Sequence, residues 1–407
     1  MQQILIAGGG IGGLSAALAC HRAGWRVCLH ERASAFAEVG AGVQLGPNAV
    51  RCLDAWGLMA PLRAVACFPE VLQVRSAFDG TPLAGMRLGR TMVERYGAAY
   101  ATVHRADLHD LLLQAVRGLP DVQLHLCHRL MHFSQERRVV SARVRTADGG
   151  ERQIEADALL GADGLHSRVR AVMLGRDAEE TAGHVAYRAV VPQEALPPPL
   201  RSPSVTVWLG PRLHVVHYPV RRGEWLNVVV IREGPPPAEV RRWDHAASAG
   251  ELQSALVGAC AALRDLVHAV PAAGGEWRLW PLALRAPVAG VHEMAQGAVA
   301  LLGDAAHPMR PYLAQGAGMA IEDAVALEQA LAMQALDVHE RLRRYALGRW
   351  QRVARVQRRS QRNGHIFHAT GPLRLARDAS LRLLGERVMD MPWLYGGGPL
   401  PVSRRGS

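Results

Sequence analysis

The 407-residue chain contains no lysine: all 47 of its Lys+Arg cations are arginine. That excludes a Walker A phosphate loop, whose lysine reaches the terminal phosphates, and any Schiff-base chemistry on an internal amine. Pyridoxal-phosphate enzymes and class I aldolases are therefore excluded. Cysteine is sparse as well, six residues with no C-x-x-C pair and no regular spacing. Neither a zinc cluster nor a disulfide framework is expected, and no metal site is assigned. Long apolar runs are missing. Ile4 to Cys20 comes nearest, but five glycines interrupt it and no basic segment precedes it. A reducing, cytoplasmic setting without stable membrane association is the expectation. The 36 acidic residues leave a formal charge of +11. Because arginine has replaced lysine completely, that excess reads as GC-rich codon usage, and no nucleic-acid partner is expected.

What is present favours two or three packed domains, since 49% of the residues are hydrophobic. The chain opens with a buried-strand run, Gln3 to Ala7, then a glycine loop, a helical stretch from Leu14 to Ala23 and a second strand, Arg26 to His30, ending on Glu31. Asp107 to Val116 reads as a helix. Val122 to Leu126, Val139 to Thr146 and Arg152 to Ile154 read as a β-meander, followed by a buried strand at Ala158 to Leu160. From Gly183 to Ile231 the pattern becomes a run of strands, which predicts an inserted antiparallel sheet. Pro197–Pro199 and Pro235–Pro237 read as exposed connections. Beyond the strand Ala298 to Leu302 the chain is mostly helical to about Arg377.

The N-terminal loop carries the clearest chemistry. Gly8-x-Gly10-x-x-Gly13 sits between strand and helix, and Glu31 stands at the end of the next strand. Glycines there let backbone N–H groups meet a pyrophosphate at the helix N-terminus, while the acid accepts from ribose hydroxyls and repels a 2′-phosphate. The adenosine is then that of FAD or NAD. A second half-site decides between them, because only a flavin needs one late in the chain. Gly303-Asp304-Ala305-Ala306-His307-Pro308 follows a strand, with Asp304 able to accept from ribityl hydroxyls, and Gly316-Ala317-Gly318 opens a helix. The alternative for Asp304 is an ordinary capped turn. In the strand Leu213 to Pro219, His214, Val216 and Tyr218 share one face and His217 takes the other. An imidazole and a phenol on an apolar floor suit an aromatic acid, although both could instead be groups satisfied at a domain interface. The nine arginines between Arg341 and Arg362 read as a solvated helix face with local ion pairs.

The glycine loop with Glu31, the segment Gly161-Ala162-Asp163-Gly164 continuing to Arg170, and Gly303 to Pro308 resemble the three fingerprints of single-component FAD-dependent aromatic hydroxylases, the p-hydroxybenzoate hydroxylase fold. Val39 to Ala49, His104 to Leu108 and Ala354 to His368 resemble the salicylate hydroxylase and 3-hydroxybenzoate 6-hydroxylase branch. The resemblance implies an α/β fold: a Rossmann-like FAD-binding domain (1–70, 96–175 and 284–370), an inserted antiparallel β-sheet substrate domain (71–95 and 176–283) and a helical C-terminal extension (371–407). It implies that Gly8, Gly10, Gly13, Leu14, Gly303, Pro308, Gly316 and Ala317 surround FAD. Glu31 and Arg32 would hold the ribose, Arg105 the phosphates, Leu130 the adenine and Gln44 the flavin region. Asp304 would bind the ribityl chain, and Asp163 would serve both FAD and the nicotinamide donor, NADH or NADPH. A surface pair with Asp107 or Asp110 is the competing role for Arg105.

The activity implied is hydroxylation of a phenolic carboxylate of the salicylate or 3-hydroxybenzoate type, using dioxygen through a flavin hydroperoxide, in a protein that could form homodimers. His214 and Tyr218 are the expected catalytic pair. Tyr312 joins them because Pro311 stands where the 3-hydroxybenzoate enzymes tend to supply a polar side chain. A 6-hydroxynicotinate hydroxylase, a quinone or isoprenoid epoxidase, a flavin dehydrogenase or oxidase, and a regulatory flavoprotein stay open at this point.

Overall fold

The computed structural model describes residues 1–36, 41–136, 139–175, 180–235, 245–247 and 249–399. Val39, Gly40, Pro236, Pro237 and the last eight positions, 400–407, lie outside the described residues.

A six-stranded sheet is built around Gln3–Ala7, whose apolar side chains are buried on both faces, as expected of a strand covered above and below. Arg26–His30 and then Val122–His125 lie parallel to it on one side, and Ala158–Gly161 and Val299–Leu301 on the other. Val122–His125 thus belongs to this sheet and not to the expected meander. The three-stranded meander consists of Arg129–Glu136, Val139–Arg145 and Glu151–Ala156. The sequence misled because Val122–His125 has a strand's composition but is too short to show which partner it takes.

The second large sheet has eight strands, and Val205–Gly210, Leu213–Val220, Trp225–Glu233 and Glu180–Pro192 lie side by side at its centre. Strand alternation separates its two faces. Val215, Leu226, Val228 and Val230 pack with Leu263, Leu266 and Val270 of the helix Ala261–Ala272. His214, Val216, Tyr218, Val229 and Ile231 face the opposite way, toward the glycine loops of the first sheet.

The helices Gly316–Leu331 and Val338–Phe367 complete the core. At 1.5 Å per residue the second, 30 residues long, runs about 45 Å. Its arginines are only partly the solvated face expected. Arg343 and Arg344 pair with Glu340 at the surface, but Arg349 is 1% exposed and bonds Glu322 and Asp323, each at 2.7 Å. Arg352 also clasps Glu322. The helix is amphipathic in a charged sense, because its inner face meets two buried acids. Among the described residues no helix is long and apolar enough to cross a membrane.

Candidate active site

The two sheets enclose a cleft floored by both glycine loops. Gly8 has φ +105°, and a Cβ there would stand 2.4 Å from the Ala162 carbonyl oxygen. A Cβ on Gly13 would stand 1.9 Å from the Gly8 oxygen. These positions admit only glycine, so the turn from strand to helix is as tight as the motif requires. The helix Ile11–Arg22 begins without a side-chain cap, as does Gly316–Leu331, and Gly10, Ile11, Gly12, Gly316 and Ala317 all line the cleft. Two helix N-termini with free N–H groups thus open on one space.

Asp304 carries an exposed carboxylate into that space, beside Gly316. Its loop is fixed from behind. Asp323 accepts from His307 Nε2 at 2.6 Å and from the Gly303 N–H at 3.0 Å. Burial pushes the Asp323 carboxyl upward, but His307 and Arg349 outweigh it and hold it at about 2. Arg170 bonds the Ala305 and Leu165 carbonyls, joining this loop to the segment after Asp163.

Three arginines, Arg105, Arg188 and Arg310, also line the cleft. Asp107, the competing partner for Arg105, pairs instead with Arg221 at 3.2 Å. Arg188, which the sequence reading missed, lies under the cleft with its guanidinium 4.0 Å from the Trp280 ring centroid. No carboxylate pairs with Arg188 among the described residues. Burial, opposed by Tyr218 and aided by Arg105, lowers its pKa to about 10. Two uncapped helix starts, an open acid and half-buried cations fit the diphosphate, ribityl and ring portions of FAD.

Other expected cofactor residues stand further back. Glu31 accepts from the Gly9 N–H at 2.7 Å and the Ala33 N–H at 2.8 Å, so in this arrangement its carboxylate braces the glycine loop. Arg32 is exposed next to it. Leu14 is wholly buried inside its helix, Leu130 is buried in the meander, and the Pro308 carbonyl accepts from Gln357. Asp163 caps the helix Arg168–Leu174, accepting from Ser167 Oγ and the N–H groups of Arg168 and Val169. Its neighbours Ala162 and Gly164 line the cleft in its place.

A second, largely apolar cavity of about 580 Å³ meets the cleft at Gln44, His214, Val216, Pro311 and Ala314. Its walls include Leu72, Val74, Met86, Val207, Leu209 and Phe367. His214, 1% exposed, stands at the junction. Its Nδ1 is 2.8 Å from Nε2 of His368, which leaves Nε2 for the space that its ring lines. Burial, then His368 and His184, hold its pKa well below the ordinary value. Tyr218 shares this face, and burial raises its phenol above the normal range. The Tyr100 hydroxyl donates to Gln44 Oε1 at 2.8 Å. Tyr312 lines only the apolar cavity; its hydroxyl engages His184 and its ring lies 5.0 Å from that of His214. Arg359 and Arg362 stand on the same wall without an acidic partner among the described residues, and burial and Arg362 lower the Arg359 pKa.

The sequence reading also missed His184, His368 and Arg359. His368 stops the helix Val338–Phe367 just before Gly371, and that glycine is the signal that could have exposed it.

The FAD binding domain family matches residues 1–360. A 3-hydroxybenzoate 6-hydroxylase of Polaromonas naphthalenivorans (strain CJ2) is 38% identical over 97% of this chain and 95% of its own length. The 3-amino-4-hydroxybenzoate 2-monooxygenase PtmB3 of Streptomyces platensis is 38% identical over 99% and 98%. Among solved structures, Klebsiella pneumoniae HpxO complexed with FAD and uric acid superimposes with a TM-score of 0.82 at 26% identity, covering 95% of this chain and 94% of that one. FAD is the cofactor and NAD(P)H the co-substrate. The chain belongs to the FAD binding domain family, as an FAD-dependent monooxygenase of the aromatic-ring hydroxylase type.

Proposed function

We propose that the protein hydroxylates a phenolic aromatic carboxylate of the 3-hydroxybenzoate type, with the ring seated at the junction of the two cavities. One observation supports this reading above the others: a buried, neutral imidazole, His214, has one nitrogen tied to His368 and the other turned to a cavity with apolar walls. Reduced FAD, when bound, activates dioxygen for transfer to the ring. The protein's own residues do the remaining work. His214 Nε2 takes the phenolic proton, which makes the ring electron-rich where it is attacked. Val216, Ile231 and Val229 press on the ring and exclude water. Tyr218 and Gln44 orient it from the cofactor side, and Arg359 pairs with the carboxylate. Arg105 and Arg188 hold the negative charge of the cofactor. The relative named for 3-hydroxybenzoate lends support.

The test is stoichiometry. Salicylate, 3-hydroxybenzoate and 6-hydroxynicotinate are compared for NADH oxidised against hydroxylated product formed, with 3-hydroxybenzoate expected to give the tightest coupling. His214→Ala should slow hydroxylation by about two to four orders of magnitude. Arg359→Gln should raise KM for the carboxylate by about tenfold to a hundredfold, the worth of one charge-assisted contact. Turnover of His214→Ala equal to wild type per folded, FAD-loaded enzyme would remove His214 from the chemistry.

A further inference from the structure

We infer that His368 and Glu233 form a proton path from His214 to solvent, so that the phenolic proton leaves the closed pocket. The inference rests on the reading of His214 as the group that takes that proton. Three elements supply the path: His214 from the strand Leu213–Val220, His368 from the end of the helix Val338–Phe367, and Glu233 from the strand Trp225–Glu233. His214 pairs with Ile231 across the sheet, which brings Glu233 to the same end. His214 Nδ1 lies 2.8 Å from His368 Nε2, and His368 Nδ1 lies 3.6 Å from Glu233 Oε1. The two imidazole side chains are nearly enclosed, whereas that of Glu233 is 41% exposed. The chain therefore runs from a buried base to water. Its last gap exceeds hydrogen-bond length, and one water or a turn of the exposed carboxylate spans it.

A lone neutral histidine is a poor acceptor here. Holding the proton on His214 would place a cation in a buried site already faced by His184 and His368. The surroundings of His368 repeat the point: His184 stacks on it at 4.9 Å, Tyr312 stands edge-on at 5.7 Å, and Arg310 and Arg377 add positive charge. Those cations also oppose a divalent metal among His184, Glu233 and His368, whose ligand atoms lie within 4.8 Å of one another. Transfer along the chain avoids a resident charge. The phenolic O–H breaks as an N–H forms at His214 Nε2. The proton on His214 Nδ1 passes to His368 Nε2, and that on His368 Nδ1 passes to Glu233, which releases it to water. No electrons move between groups. Both imidazoles end neutral in the opposite tautomer, and one proton returning to the product phenolate restores them.

The experiment uses FAD-loaded enzyme without NAD(P)H, so that no turnover occurs, and 3-hydroxybenzoate as the probe. A stopped-flow pH jump follows the phenolate absorbance of the bound probe. His368→Gln and Glu233→Gln should each slow ionisation by about tenfold or more, with probe affinity within about twofold of wild type and Glu233→Asp restoring the rate. The Glu233 variants change an exposed side chain and so keep the test independent of folding. Ionisation at the wild-type rate in His368→Gln and Glu233→Gln, but lost in His214→Gln, would overturn the path and leave the function of His214 standing. Unchanged ionisation in all three would overturn both.

Discussion

Lowering the pH from 7 to about 5.5 should destabilise the FAD-saturated protein by at least about 5 kcal/mol, the share of the four histidines that are most deeply buried in the neutral form. His30 clusters with the rings of His125 and His128, at 4.9 and 5.1 Å, and burial followed by those two rings lowers its pKa to about 3. Burial and Arg75 lower His217 to about 4. Burial, His184 and the surrounding cations lower His368 to about 3, and His214 lies well below the ordinary value. All four are between 1% and 6% exposed, so solvent screens them little. In the unfolded chain each returns to about 6.5. Their folded values are depressed, so their contribution is complete above that pH and is lost as the pH falls from there toward 3 or 4. At about pH 5.5 the unfolded chain binds close to one proton at each site and the native state almost none, which costs about 1.3 kcal/mol per histidine. Asp323 does not confuse the window: held at about 2, its contribution disappears only between about pH 4 and 2. Urea unfolding at three pH values between 7 and 5.5, with midpoint and slope fitted separately, measures the effect. A change below about 1 kcal/mol would mean that these imidazoles are protonated in the fold or reach water, and the reasoning would fail.

Two further outcomes concern the cofactor loop. Asp304→Ala should weaken FAD binding by about tenfold to a hundredfold without altering the fold, through loss of one charge-assisted contact; a fluorescence titration with unchanged affinity would show that the second half-site is misplaced. Arg349→Met should destabilise the protein by about 3–5 kcal/mol, since Glu322 and Asp323 would remain buried without their shared cation. Because Asp323 also holds Gly303 and His307, the same variant should bind FAD more weakly, and thermal melts with and without FAD separate the two effects.

The elements whose signal is local were legible from the residues alone. Gln3–Ala7, the glycine loop and Arg26–His30 follow from apolar runs punctuated by glycine, and the shared face of His214, Val216 and Tyr218 follows from a period of two. Pairings across long sequence separations were not. Nothing in the Glu180–Pro192 strand announces that Arg188 enters the cleft, because its role comes from the strand's register against Trp225–Glu233. His368 lies 154 residues from its partner His214, and Gly371 marks the end of its helix but not that partner. Asp163 shows the opposite error. Its motif was visible, but the acid turns back to cap a helix and leaves the cleft to its neighbours. Motifs locate a segment, and only the packed structure decides which of its atoms face the ligand.

The absence of lysine bears on how the site divides charge from proton transfer. A lysine buried where Arg188 stands would shed its proton readily, since desolvation acts on a compact ammonium with an ordinary value near 10.4. Arginine stays charged under the same burial; Arg188, lowered to about 10, is still cationic at neutral pH. The cleft can therefore keep fixed positive charge next to groups that exchange protons, without the two exchanging roles. The histidines show the complementary behaviour: burial and the nearby guanidinium of Arg310 keep His184 and His368 neutral, the form in which an imidazole can accept at one nitrogen and donate at the other. Arginine that cannot release a proton thus sets the field in which neutral histidine carries one. For a reaction that begins by ionising a phenol in a closed, apolar pocket, that separation keeps the negative charge of the cofactor and of the carboxylate compensated while the phenolic proton leaves by another route.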